Sequence, residues 1–393
     1  MHTRRAVLLR FWAAAFGYHV VLCAVGVFLF ERVRRRLATG GGPTHPVTEL
    51  AGFALAAPLL AVVAATLGPE SLLGFGVLRL LAQALFAESL LLCLALALLY
   101  ARRGGRRWTI ALAGAAALLL AVYWEAYHRE PRDLQVSRHD VDLAGGAAGA
   151  RGLRIVHLTD LQTHHIGVYE DHAIREALAQ EPDLIVMTGD YIQPRLEPTR
   201  ARATADLKRL LRERHIRAPL GVFAVRGDVD LEWPGVFDGT GVTPLTGDIV
   251  RLPLSGGRML SLVGLTIRMS RGQEDEPMMQ LVGRVPPGDL SVVIGHNPNF
   301  VQTLAARHAP VDLALAGHTH GGQVVLPLLG APITKMRLPA RYASGLAAYE
   351  GIPLHVSRGI GMERGAAPQI RFLCPPEICV LNVRYGGRAV ARY

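Results

Sequence analysis

Apolar and polar positions follow two different regimes along this chain. Before Glu125 the apolar residues form long runs, Phe11 to Phe30, Leu50 to Pro69, Leu80 to Tyr100 and Trp108 to Trp124, and Glu88 is the one formal charge inside them. Each run approaches the ~20 residues that a helix needs to cross a bilayer. About four transmembrane helices are therefore expected within residues 1–126. Beyond Glu125 the runs shorten and turn residues return. Arg154 to Leu158, Leu184 to Thr188, Gly221 to Val225, Leu260 to Gly264, Leu290 to Ile294 and Val311 to Ala316 carry the pattern of buried strands. Helical spacing appears in Glu170 to Gln180 and in Arg200 to Arg214, where Leu207, Leu210 and Leu211 share one face. Alternating strands and helices predict packed α/β layers over 133–393, joined to the spans by a short linker, 127–132.

Charge refines the first regime. The chain has 42 Lys and Arg against 32 Asp and Glu, a net +10. Taken alone, that balance is compatible with nucleic acid as a partner. Its placement argues otherwise: Arg32, Arg34, Arg35 and Arg36 follow the first span, and Arg102, Arg103, Arg106 and Arg107 follow the third. Basic loops stay cytoplasmic, so with four spans the domain after Glu125 faces outward, and no nucleic-acid partner is expected. The expected location is a bacterial inner membrane with the α/β domain outside the cytoplasm. Glu88 is either an ion-pathway or headgroup residue or a group paired between helices. With 50% hydrophobic and 19% charged residues, a disordered chain is excluded. Cys374 and Cys379 are close enough in sequence for a disulfide outside the cytoplasm, and Cys23 and Cys93 fall in spans.

In open α/β sheets the loops after parallel strands converge on one rim. In chain order those loops carry Asp160 and Gln162, then Gly189 and Asp190, then Gly227, Asp228 and Asp230, then His296, and finally His318 and His320. Carboxylates and imidazoles together make a mixed oxygen and nitrogen donor set, suited to Mn²⁺, Fe or Zn²⁺ rather than Ca²⁺. A pair of such ions about 3.5–4 Å apart is the arrangement of two-metal hydrolases.

The ordered series Asp-Leu-Gln, Gly-Asp, Gly-Asp-Val-Asp, Gly-His-Asn-Pro and Gly-His-Thr-His-Gly-Gly-Gln resembles the calcineurin-like metallophosphoesterase superfamily over about Asp133 to Val383. Val356 to Gly361, followed by Pro375, Pro376, Glu377 and Ile378, resembles its membrane-anchored branch. The resemblance implies a four-layer α/β/β/α sandwich. It also implies two divalent ions, one held by Asp160, Gln162, Asp190 and His320, the other by Asp190, Asp228, His296 and His318. A hydroxide bridging them would attack phosphorus in line. Asp190, Asp228, His318 and Asp230 are the expected catalytic residues, with Asp230 also open to a role in orienting a ligand or in a turn. Asn297, Gln323, Arg341 and Arg358 are candidates for gripping phosphate, the arginines bidentately.

The chain departs from the superfamily pattern at Gln162, where a histidine is usual, at Asp228, where asparagine is usual, and at Val229, where a histidine commonly protonates the leaving group. Loss of that acid, a step worth roughly 10²- to 10⁴-fold, suits a diphosphate bond, whose leaving phosphate needs little protonation. Nucleotide-lipid pyrophosphatases of the superfamily similarly lack that histidine. His164 and His165, just past Gln162, are alternative ligands or acids, with surface positions as the competing expectation. His157 lies in a strand pattern and is expected in the core. The expectation is a membrane-bound hydrolase of phosphodiester or pyrophosphate bonds, acting on a phosphorylated small molecule or lipid. The alternative is a degenerate relative that binds a phosphorylated lipid or partner without turnover. A transporter is a third reading, but the spans lack a repeat pair.

Overall fold

The structure, a computed structural model, describes residues 2–39, 46–67, 75–143, 152–194, 196–364 and 367–385. It divides into two compact units, Met1–Arg129 with Glu363–Gln369, and Glu130–Met362 with Ile370–Tyr393.

The first unit is helical. It contains α1 (His2–Ala38), α2 (Pro46–Leu67), α3 (Phe75–Gln83), α4 (Ser89–Arg102) and α5 (Arg106–Trp124). Helix α3 runs into α4 through a π turn, Ala84–Glu88. Among the described residues three helical runs are long and apolar enough to cross a membrane, Trp12–Ala38, Gly76–Arg102 and Arg106–Arg132, and Thr48–Ala64 is a shorter apolar helix. The end of the expected second span, 68–69, lies outside the described residues. Glu88 proves to be paired between helices: its carboxylate meets His19 Nδ1 of α1, whose Nε2 lies 3.0 Å from Gln83 Oε1. The residues expected to form a linker, 127–132, are helical. A π turn, Glu125–Arg129, and a single 3-10 turn, Glu130–Arg132, extend α5, because no Gly or intervening Pro stops the helix before Pro131.

The second unit holds two six-stranded sheets. The first contains β1 (Gln135–Asp142), β2 (Gly152–Leu158), β3 (Leu184–Met187), β4 (Val222–Ala224), β5 (Thr243–Pro244) and, from the chain's far end, β12 (Glu377–Arg384), in the order β1-β12-β2-β3-β4-β5. The second contains β6 (Asp248–Pro253), β7 (Met259–Gly264), β8 (Leu290–Ile294), β9 (Leu313–Ala316), β10 (Gly345–Tyr349) and β11 (Ile352–Val356), in the order β10-β11-β9-β8-β7-β6. Strands β2 to β5 and β7 to β9 with β11 run parallel. Parallel strands are buried on both faces, which is why β3 and β8 lack an alternating pattern.

Three apolar layers separate four structural layers. Val156, Leu158, Ile185 and Val380 pack on α6 (Val168–Ala179) and α7 (Thr199–Glu213) through Ile174, Leu207 and Leu211. Ile155, Leu184, Leu262, Val292 and Leu381 fill the space between the sheets. The far face of the second sheet packs on α9 (Asp275–Val282) and α10 (Phe300–Ala306), with the single turn α8 (Ile267–Ser270) nearby. The architecture is the expected α/β/β/α sandwich. No disulfide joins Cys374 and Cys379: both are free and buried, the first donating to the His320 carbonyl at 3.3 Å and the second facing between the sheets.

Candidate metal centre

The six strands expected from sequence are all present, and the polar residues beyond them meet at one rim. The chain reverses there in conformations that side chains resist. Six non-glycine residues of the expected series have left-handed backbone angles: Asp160 (φ 49°), Gln162 (38°), Asp190 (57°), His318 (71°), His320 (49°) and Gln323 (62°). Such conformations cost about 1–3 kcal/mol each and persist only where surrounding structure enforces them. The enforcing bonds run between loops: Asp160 N donates to Gly189 O at 2.9 Å, Gln162 N to Asp190 O at 2.8 Å and Gly317 N to His296 O at 3.0 Å. Two glycines are required by proximity. A Cβ on Gly227 would overlap the Asp190 nitrogen and carboxylate, and one on Gly317 would overlap Thr159 Oγ1 and the Asp160 carboxylate.

Two overlapping groups of donor atoms result. One joins Asp160, Asp190 and His296, the other Asp228, His296 and His318, the atoms of each group lying within 4.8 Å of one another. His296 Nε2 is 3.4 Å from Asp190 Oδ2 and 3.2 Å from His318 Nδ1, and His318 Nδ1 is 3.2 Å from Asp228 Oδ2. His320 Nε2 stands 3.5 Å from Asp160 Oδ1. The remaining ring nitrogens hold these faces in place: His296 Nδ1 donates to Thr188 O at 2.7 Å, and His318 Nε2 to Lys335 O at 3.1 Å. A histidine that anchors one nitrogen on a carbonyl presents the other as a fixed donor.

Charge density at the rim calls for a cation. Asp160 is completely buried. Its Oδ2 accepts from Thr159 Oγ1 (2.7 Å) and His318 N (2.9 Å), while Oδ1 has no hydrogen-bond partner. Burial, reinforced by the Asp190 carboxylate, pushes its pKa up to about 6. Burial pulls the His296 imidazole down, but the carboxylates of Asp190, Asp228 and Asp160 outweigh it and raise the group well above its ordinary value. An unmatched buried carboxylate oxygen beside imidazoles and further carboxylates fits divalent transition-metal ions with mixed oxygen and nitrogen ligands.

The other expected residues are placed as follows. Gln162 is fully buried on the same loop as Asp160. Asp230 accepts from Gly227 N (2.6 Å), Tyr191 N (2.8 Å) and Asp190 N (3.0 Å). Its carboxylate thereby fixes the two loops that present Asp190 and Asp228. Val229 is buried and contributes its backbone N–H, 2.9 Å from Asp190 Oδ1. Asn297 Oδ1 accepts from Asn299 N at 3.0 Å, at the start of α10. Gln323 is buried behind the His320 turn. Arg358 donates to Glu377 Oε2 from Nε (2.9 Å) and Nη2 (2.6 Å). Arg341 is a surface residue over the Tyr342 ring, 4.7 Å from its centre. His165 is exposed on a turn, and His164 beside it is half-buried.

Two arginines outside the expected set matter more. Arg271, just after α8, places Nη2 at 2.7 Å from Asp228 Oδ1 and remains 39% exposed. Its turn is braced against the next loop, since Asn297 N donates to Ser270 Oγ at 3.4 Å. Arg371 is completely buried and donates to the carbonyls of Arg358 (2.7 Å), Gly361 (3.0 Å) and Cys374 (2.9 Å). It thereby shapes the Val356 to Gly361 loop, which supports Asp160 through Gly361 N to Asp160 O at 2.7 Å. Neither arginine had a signal in the sequence beyond being one of many.

The family model for calcineurin-like phosphoesterases matches residues 153–322, the stretch that supplies every candidate metal ligand of the rim. The chain carries a calcineurin-like phosphoesterase domain. It is 28% identical over 282 residues to the uncharacterized metallophosphoesterase YkuE of Bacillus subtilis, covering 70% of this chain and 94% of that protein. It is 25% identical over 326 residues to UDP-2,3-diacylglucosamine pyrophosphatase LpxG of Chlamydia trachomatis, covering 69% and 95% respectively. It is 29% identical over 274 residues to phosphodiesterase YaeI of Escherichia coli, covering 65% and 91%. The family match and the names of these relatives support a metal-dependent phosphoesterase, a hydrolase, and the rim holds the candidate ligand clusters.

Proposed function

We propose that the protein is a membrane-anchored hydrolase that uses two divalent ions to cleave a phosphodiester or pyrophosphate bond in a phosphorylated lipid. The observation that carries this is the meeting of two donor clusters at one rim, with Asp190 3.4 Å from His296 on one side and Asp160 3.5 Å from His320 on the other. Asp160, Gln162, Asp190 and His320 would hold one ion, and Asp190, Asp228, His296 and His318 the other. Such ions supply charge neutralisation at phosphoryl oxygens and a water of lowered pKa. The chain's own residues supply the rest. The Thr188 and Lys335 carbonyls fix the orientation of His296 and His318, and Asp230 fixes the loops beneath the site. Arg271 offsets the charge that Asp228 adds where the family usually has asparagine.

A good leaving group follows from Val229, which has no proton to give. A lipid substrate is supported by the apolar helices and by the LpxG relative, whose name specifies a diacylated sugar nucleotide. The arginine-rich loops support an inner-membrane location with the catalytic domain outside the cytoplasm. An alkaline phosphatase fusion after Arg132 should be active, and an inactive fusion reverses that topology.

The test is hydrolysis of bis-p-nitrophenyl phosphate and of UDP-2,3-diacylglucosamine by purified full-length protein with Mn²⁺. Activity that persists undiminished in His318→Ala and Asp190→Ala would overturn the assignment. Gln162 and Val229 favour a second reading, a domain that binds a phosphorylated lipid without turnover. Rim metal content separates them: near two ions per chain with turnover supports hydrolysis, whereas one ion or none with retained lipid binding supports the second.

A further inference from the structure

Behind the rim, the apolar layer between the sheets is interrupted by a second group of metal-competent side chains. His139 on β1, His157 on β2, His355 on β11 and Cys379 on β12 come together there from four strands. His157 and Cys379 are register partners across β2 and β12, and β1 pairs with β12 on its other side. His355 enters from the opposing sheet, its ring centre 5.2 Å from that of His139 and 5.3 Å from that of His157. His157, His355 and Cys379 are completely buried, and His139 is half-buried on the edge strand. One ring nitrogen each from His139 and His355 and the Cys379 sulfur lie within 4.8 Å of one another.

The hydrogen bonds of this group leave one strong site unmatched. His157 Nε2 lies 2.8 Å from Thr188 Oγ1, and His157 Nδ1 lies 3.1 Å from His355 Nδ1. His355 Nε2 is buried and has no hydrogen-bond partner. When His157 donates from Nε2 to Thr188, His355 donates from Nδ1 to His157, and the Nε2 lone pair then has no proton to meet. A neutral imidazole with a free lone pair is the form that ligates a metal. A buried polar atom without a partner is rare in folded proteins and calls for an explanation.

We propose that His139, His355 through Nε2, and Cys379 form a second metal site between the sheets, built for a borderline-soft divalent ion such as Zn²⁺. Two imidazoles and a thiolate select zinc-like ions, whereas the carboxylate-rich rim is the harder of the two sites. On binding, the Cys379 S–H bond breaks, a sulfur–metal bond forms, and the proton leaves to water. The partly exposed His139 marks the entry side. The ion ties β1 and β12 of one sheet to β11 of the other. His157 connects this site to the rim, because Thr188 meets His157 through its hydroxyl and accepts from His296 through its carbonyl.

Cobalt separates the two centres, because the proposed rim ligands include no sulfur. Full-length protein in detergent, stripped of metal and titrated with Co²⁺, should develop a near-ultraviolet thiolate-to-cobalt charge-transfer band. Cys379→Ser and His355→Ala should abolish the band. Cys374→Ala, which removes the other buried thiol near the rim, should keep it. His139→Ala removes a ligand at the half-exposed edge without opening the core and should weaken the cobalt affinity read from the band at least tenfold. Absence of the band at saturating Co²⁺ in the unaltered protein overturns the proposal. So does a band that Cys374→Ala removes and Cys379→Ser retains, or an affinity unchanged in His139→Ala.

Discussion

Two groups of histidines occupy the same sandwich and are built by opposite means. At the rim, His296, His318 and His320 stand on loops, and left-handed residues at Asp160, Asp190, His318 and His320 turn their side chains toward a common space. Between the sheets, His139, His157 and His355 stand on regular strands, where ordinary alternation aims them inward. The rim is strained, acidic and stapled by backbone hydrogen bonds. The inner group is unstrained, has no carboxylate among its proposed ligands and leaves one ring nitrogen unmatched. Loops concentrate charge at the cost of strain, which suits a site where a charged ester must enter and leave. Strands give fixed geometry in a dry layer, which suits an ion that stays.

The comparison breaks if the two groups respond alike to substitution. The largest effect is expected at the rim. Asp190→Ala removes the carboxylate proposed to serve both ions and should lower kcat/KM on bis-p-nitrophenyl phosphate by about 10³-fold, the scale of losing a principal electrostatic group in a transition state. Cys379→Ser, in the inner layer, should stay within about threefold of the unaltered protein in the same assay when Mn²⁺ is saturating, since surface and core changes away from reacting groups alter stability more than chemistry. A comparable loss in both would mean that the inner group is part of the catalytic centre.

An intermediate effect is expected at Arg271. Its guanidinium meets Asp228 at 2.7 Å yet keeps 39% exposure, so it offsets that carboxylate while part of it faces solvent. Arg271→Ala should raise KM about tenfold, roughly 1.4 kcal/mol, and change kcat much less, because it removes attraction felt by ground and transition states alike. Arg271→Lys should recover part of the loss. A fall in kcat with KM unchanged would instead place Arg271 among groups acting only in the transition state.

The contrast also explains what could be seen in the sequence. Rim residues follow buried parallel strands at short intervals, so Asp160, Asp190, Asp228, His296, His318 and His320 could be assembled on one edge from strand ends alone, and packed α/β layers followed from the same alternation, while the four-layer order came from the resemblance. The inner group could not. His157 was legible only as core, because its partners come from β1, β11 and β12, and the insertion of β12 between β1 and β2 is a pairing across more than 200 residues with no local trace. Arg271 and Arg371 were hidden for a related reason, since a guanidinium's role depends on which carboxylate or carbonyl it meets in space. Arg358 illustrates the converse: a plausible phosphate grip in sequence, it is occupied by Glu377. The fourth span was read as ending at Trp124, with a linker over 127–132, because charged residues return at Glu125, although none of Glu125–Arg129 breaks a helix.

The smallest and most diagnostic effect concerns pH. In protein stripped of metal, burial raises Asp160 to about 6 and Asp230 to about 7, while His296 is raised by its neighbouring carboxylates despite burial. Each of these groups holds its proton more tightly folded than unfolded, so the folded state is favoured while they remain protonated and loses that advantage as pH rises through their folded values. The buried His157 and His355 are shifted down, and their opposite contribution is nearly complete once pH exceeds the unfolded histidine value of ~6.5. Asp228 is shifted down as well, but its contribution changes only in acid. The Asp160 contribution is spent above about 6 and that of Asp230 just above about 7, so between pH 7 and 8.5 His296 dominates, and the Tm of the stripped protein should fall, read by calorimetry. Saturating Mn²⁺ should abolish or reverse the trend, because the ion replaces the protons that hold the carboxylates together and binds more tightly as they are released. If Tm instead rises between pH 7 and 8.5 in chelated protein, the rim is not the proton-holding cluster that its geometry describes.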